Sequence, residues 1–190
     1  MATDDGETLV EALLREMAAR TPPVRVVPKA NLWHQHAIDC ALRVLTFGRQ
    51  NRYLTDYVTT LGHTVLVPTG WDRIPPLRRY EVLRHELVHV RQFERWGWCG
   101  MVLLYGLLPL PVGLAWGRAR LEWEAYAETL RAIAEVEGIA AARDPRLHQE
   151  IIRRFTGPDY AWMWPFPRRV QRWIDAQLAT LAAESTKTAR

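Results

Sequence analysis

The sequence predicts an α+β domain, mainly helical, with a small antiparallel sheet beside one long helix. Three observations carry that expectation. Apolar residues recur at helical spacing through most of the chain, and a single hairpin signal interrupts them near residue 60. The length of 190 residues, 48% hydrophobic and 24% charged, suits one buried core, so residues 1–190 are expected to form a single domain.

The elements follow in order. Leu9, Val10, Leu13, Leu14 and Met17 mark an amphipathic opening helix over 7–20, which Thr21-Pro22-Pro23 stops. Val24 to Val27 is a short β-branched run, and a second helical pattern passes through Ile38, Leu42 and Leu45 to Gly48. The hairpin signal is Tyr57 to Thr60, then Leu61-Gly62, then His63 to Val67, which predicts two antiparallel strands. A strong helix runs from about Leu77 to Trp96, with Asp72 and Pro75-Pro76 as its start signals. Another covers about Arg118 to Glu137 and ends at Gly138. Leu147, Ile151 and Ile152 mark a shorter one closed by Thr156-Gly157-Pro158. An aromatic tail, residues 158–190, begins with the Pro-rich stretch Tyr160 to Phe166 and ends in a helix through Val170, Trp173, Ile174 and Leu178.

Composition narrows the function classes. With 12 Pro, 11 Gly and 21 acidic against 25 basic residues there is no case for a disordered or fibrous chain. The basic residues are 23 Arg and only 2 Lys, yet no Arg run reaches the length of a nucleic-acid arm, so no nucleic-acid partner is expected. Cys40 and Cys99 form neither a disulfide framework nor a paired zinc spacing. Met1 to Gly6 is acidic, and no signal-peptide pattern follows. A reducing, cytoplasmic location is the expectation.

The chemistry concentrates in His85-Glu86-Leu87-Val88-His89. Residues four apart share a helix face, so both imidazoles can reach one ion, and Glu86 beside them can address a metal-bound water as general base. Six His and 13 Glu would produce this pattern by chance in about 1% of shuffled sequences. A hydrolytic zinc ion needs a third protein ligand and an open position for water. Leu121-Glu122-Trp123-Glu124-Ala125-Tyr126 offers two carboxylates. Glu122 is in phase with Tyr126, Leu130 and Ile133, whereas Glu124 shares the polar face of Glu128, Arg131 and Glu135. A carboxylate on an apolar face must be paired or bind a metal, which favours Glu122, with a salt bridge to Arg118 or Arg84 as the alternative.

These residues resemble a zincin metallopeptidase of the gluzincin kind, in which HExxH is followed by a glutamate on a later helix. The resemblance is to the CAAX prenyl protease and its bacterial membrane-protease relatives, whose later element reads E-x-x-A-D. Here Glu122 to Tyr126 reads E-x-x-A-Y, so Tyr126 stands where an aspartate would orient a ligand histidine, and the surroundings of the ligands must be built differently. The similarity covers about Val65 to Leu130. It implies a zincin-like fold, Zn2+ held by His85, His89 and Glu122, and hydrolysis of a peptide or protein substrate with Glu86 as base. It also implies an extended substrate paired against the edge of the strand His63 to Val67. Tyr126, Tyr105, Tyr160 and His148 are candidates by type for the oxyanion donor, and the sequence does not choose among them.

One segment complicates this picture. From Trp96 to Gly117 there are 22 residues without a charge, long enough for one membrane span. A span would put His85 and Glu122 on opposite sides of a bilayer about 30 Å thick in its hydrocarbon core. The expectation is instead a hairpin insert, 96–117, turning at Pro109-Leu110-Pro111 and either buried against the domain or dipping into one leaflet. Trp96, Trp98 and Trp116, with Arg91, Arg95, Arg118 and Arg120 nearby, suit peripheral membrane contact. They suit a closed soluble core equally, and the aromatic run Tyr160 to Phe166 is expected to pack against that core. The competing functional reading is a non-catalytic, zinc-stabilised binding or scaffold protein at a membrane surface or on a protein partner.

Overall fold

A computed structural model describes residues 2–32, 55, 57–106, 115–157 and 163–188. The helical pattern through Ile38, Leu42 and Leu45, the turn at Pro109 to Pro111, Cys40 and Tyr160 lie outside those residues. The chain divides into two compact units, Met1–Phe93 and Glu94–Arg190. The fold is mainly α with a small sheet, as the periodicity predicts.

In the first unit, helix α1 (Ala2–Ala19) turns Val10, Leu13 and Met17 inward at spacings of three and four. They join Val24, Val65, Val67, Trp71, Leu83, Leu87 and Val90 in one core. Gly6 permits α1 to approach the next long helix, because a Cβ there would stand 3.0 Å from the Pro76 Cβ. An ion pair between Glu7 and Arg79 ties the same two segments.

The sheet has three strands: β1 (Arg25–Pro28), β2 (Thr59–Leu61) and β3 (Thr64–Val67), in the order β1-β3-β2. β2 and β3 are antiparallel, with Thr60 opposite Val65, whereas β1 lies parallel to β3, with Val26 opposite Val65. The sheet is therefore mixed, not purely antiparallel. Thirty residues separate Pro28 from Thr59, ample for the crossover that parallel pairing requires. Two details of the expected hairpin shift. Its turn is Gly62-His63, with Gly62 at φ 60, so His63 belongs to the turn and not to the strand. β3 is also the central strand, with both of its edges paired, so it cannot offer an open edge to a substrate. Its Val65-Leu66-Val67 run is buried throughout, as a central strand covered on both faces should be. Among the described residues, β1 and β2 are the two edge strands, and β2 is the one that carries Thr60.

Helix α2 (Pro76–Met101) starts with a proline in its first turn, where the missing N–H costs nothing. Leu83, Leu87 and Val90 form its core stripe, each burial stabilising by about 1.5–3 kcal/mol. The helix breaks at Gly97, whose φ of 63 and ψ of 178 only glycine adopts without strain. It is longer than the periodicity suggests because residues 98–101 resume helical geometry beyond that break.

The second unit is helical. A π-helical turn, Val102–Gly106, follows α2, and the chain returns in α3 (Trp116–Val136). Gly117 lies so close to Leu104 that a Cβ would meet the Leu104 carbonyl oxygen at 2.7 Å. Leu104 and Gly117 therefore lie against each other, and no helix of the described residues is long and apolar enough to cross a membrane. α4 (Ile139–Ala142) and α5 (Pro145–Thr156) follow, the latter capped by Asp144, whose carboxylate accepts from the Arg146 N–H at 2.8 Å. α6 (Pro167–Thr188) closes the bundle. Ala119, Leu130, Ile133, Ile151, Phe155, Met163, Trp164, Val170, Ile174 and Leu178 make its core. Trp123 stacks near Phe155 and Trp173, with centroids at 6.1 and 6.3 Å, and meets Trp164 edge-on at 5.4 Å. Met163 and Trp164 of the aromatic run are thus core residues, while Phe166 is exposed.

Candidate metal centre

Helical spacing builds the first half of the site. His85 and His89 are one turn apart on α2, next to the Leu83-Leu87-Val90 stripe, and both are largely buried. Their rings stand edge to face with centroids 5.0 Å apart. Glu86, also buried, occupies the adjoining position on the helix. On α3, Glu122 is only 1% exposed, whereas Glu124 pairs with Arg95 at 3.6 Å and Arg120 at 3.7 Å. The two glutamates separate as their helical phase requires.

His85, His89 and Glu122 each offer a ligand atom, and these three atoms all lie within 4.8 Å of one another. A tetrahedral ion with bonds of about 2.0–2.1 Å holds its ligand atoms about 3.3–3.4 Å apart. The widest pair would then close by at most about 1.5 Å. Two imidazoles and one carboxylate are also the donor chemistry of a hydrolytic zinc site, with room left for water. The donor set fits the ion.

Two further residues hold the motif, and sequence reasoning missed both. Thr60 on β2 donates its hydroxyl to Glu86 Oε2 at 2.7 Å, which fixes one of the two carboxylate oxygens. Gln92 is 1% exposed, and its Oε1 lies 2.9 Å from His89 Nδ1. Gln92 had a readable signal, a polar residue one turn beyond His89. Thr60 had none, because only the pairing of β2 with β3 and their packing with α2 bring it to Glu86.

The remaining candidates are placed as follows. Tyr126 packs its ring 5.6 Å from Phe155, in the aromatic cluster of the second unit. His148 engages both ring nitrogens locally, with the Ala142 carbonyl at 2.9 Å and Gln171 at 3.5 Å, which is a structural use. Arg84 donates to the Tyr80 hydroxyl at 2.6 Å and lies 5.5 Å from that ring's centroid. Compared with known proteins, the chain matches no protein-family model, no curated protein and no solved structure.

Proposed function

We propose that this protein is a zinc-dependent peptide hydrolase, with His85, His89 and Glu122 as ligands and Glu86 as general base. The observation that carries the reading is the convergence of two imidazoles and a buried carboxylate within 4.8 Å, beside a second carboxylate steadied by Thr60. Zinc, when bound there, lowers the pKa of a coordinated water and polarises the scissile carbonyl. The chain's own part falls to Glu86. Thr60 occupies its Oε2, so Oε1 takes the proton of the attacking water and later delivers it to the leaving amine. An extended peptide lies along β2, the edge strand nearest Glu86 among the described residues, in place of β3. The cytoplasm remains the compartment of this reading.

The experiment is zinc content joined to turnover on a broad peptide library. Wild type should carry about one zinc per chain, His89→Ala should lose it, and Glu86→Gln should keep zinc while losing hydrolysis. Wild type without stoichiometric metal, or Glu86→Gln with unchanged turnover, overturns the proposal.

A separate observation favours a second reading, a zinc-stabilised binding protein at a lipid surface. Trp96, Trp98, Val102, Leu103 and Trp116, each half exposed or more, are five of the six large hydrophobic residues exposed among the described residues. Exposed Arg95 and Arg120 accompany them, and tryptophan with arginine suits the bilayer interface. Sedimentation with phosphatidylcholine vesicles, with and without phosphatidylglycerol, tests it. Binding lost in Trp98→Ala/Leu103→Glu supports a lipid surface. Absent binding, with self-association abolished by the same variant, assigns the patch to a second copy of the chain.

A further inference from the structure

The Gln92 side chain is among the most completely buried polar groups of the described residues. A buried amide is costly unless hydrogen-bonded, and one bond of its carbonyl oxygen is to His89, three residues earlier on the same face of α2. The chemistry of that bond is directional. A carbonyl oxygen only accepts, so a hydrogen bond to Gln92 Oε1, 2.9 Å away, requires the hydrogen of a neutral imidazole on Nδ1. Nε2 then carries the lone pair. A free histidine side chain prefers the opposite tautomer, with its hydrogen on Nε2, which would block ligation through that atom.

We infer that Gln92 is a positioning residue for the metal, accepting the His89 Nδ1–H so that Nε2 is the ligating nitrogen. This inference rests on the zinc reading above. It extends the working motif of this chain from five residues to eight, His85 to Gln92, all on one continuous stretch of helix. The amide supplies locally, at i+3, the orienting acceptor that ligand histidines require. It also supplies it without a negative charge, so no third carboxylate is added to Glu86 and Glu122.

The test uses the full chain with Gln92→Leu, which keeps the approximate volume and removes the acceptor, and Gln92→Glu, which keeps an acceptor oxygen. Zinc affinity is measured by competition with a chromophoric chelator, cobalt(II) substitution reports ligand geometry, and long-range proton–nitrogen NMR of the metal-free protein reads the His89 tautomer. Gln92→Leu should weaken zinc about 10–100-fold and alter the cobalt spectrum, with the far-UV circular dichroism of wild type. Gln92→Glu should hold zinc at least as tightly as wild type. If Gln92→Leu fails to fold, the wild-type NMR and Gln92→Glu still decide the matter. Zinc held by wild type and Gln92→Leu with equal affinity and the same cobalt spectrum overturns this inference alone, as does a wild-type His89 protonated on Nε2. Wild type that takes up no zinc overturns the metal site, and the inference with it.

Discussion

Replacing Gly117 by Ala adds one methyl group in the first turn of α3, and two opposed effects decide the outcome. In an unconstrained helix the change stabilises by about 1 kcal/mol, because Gly lowers helix stability by that much relative to Ala. Here the new Cβ would stand 2.7 Å from the Leu104 carbonyl oxygen, 3.2 Å from its Cα and 3.3 Å from its carbonyl carbon. Favourable contacts of carbon lie nearer about 3.5–4.0 Å, so all three atoms are too close. All three also belong to the backbone, which cannot swing aside as a side-chain tip can. Overpacking of this kind costs about 1–3 kcal/mol, enough to cancel the propensity gain and commonly exceed it. The expected result is a net loss of about 1 kcal/mol and a melting temperature lower by about 2–4 °C. Thermal and urea unfolding followed by circular dichroism measure it, and a larger Gly117→Val loss should follow the same order. The sign is the test. A Gly117→Ala protein more stable than wild type by about 1 kcal/mol would show that helix propensity acts alone. The close approach of Leu104 to Gly117 would then be refuted.

Two other perturbations probe the site and the core. Thr60→Val keeps the side chain's shape and removes the donor to Glu86 Oε2; hydrogen bonds to charged groups contribute about 1.5–3 kcal/mol, so turnover should fall by about tenfold or more. Zinc content should stay unchanged, and Thr60→Ser should restore the rate, whereas wild-type turnover in Thr60→Val would remove Thr60 from the mechanism. Phe155→Ala empties the centre of the second unit's aromatic cluster, where Phe155 is fully buried against Trp123, Tyr126 and Trp173. A loss of about 3–5 kcal/mol in the urea-derived stability is expected.

Much of the fold was legible because helices advertise themselves locally. Val10-Leu13-Met17 and Leu83-Leu87-Val90 are stripes set by 3.6 residues per turn, and each buries the face its spacing indicates. The sheet was less legible. Val24 to Val27 reads as a strand, but nothing in it says that it pairs parallel with a strand starting 39 residues after Arg25. The hairpin turn slipped by one residue for a related reason. Leu61-Gly62 and Gly62-His63 satisfy the same glycine, and only the pairing of Leu61 with Thr64 chooses between them.

The same distinction between local and distant information orders the residues of the candidate site. His85, Glu86, His89 and Gln92 are fixed relative to one another by helix geometry, so any reader of the spacing can place them on one face. Glu122 required a further physical step, that a carboxylate in phase with Leu130 and Ile133 is too costly to bury without a cation or donor. Thr60 required the tertiary structure itself. It lies 26 residues from Glu86, on a strand whose register is set by β3, and its hydroxyl is an ordinary feature of a β-branched strand residue until α2 packs nearby. The residues that could hold an ion are therefore the part of this site that sequence spacing exposes. Thr60, which holds Glu86, is a partner selected by packing and depends on a contact that no short motif encodes. A reading that stops at His85 to His89 finds the donors. The hydroxyl of Thr60 and the amide of Gln92 are what tie those donors to the sheet and to the helix, which is why substitutions there should alter turnover and metal affinity separately.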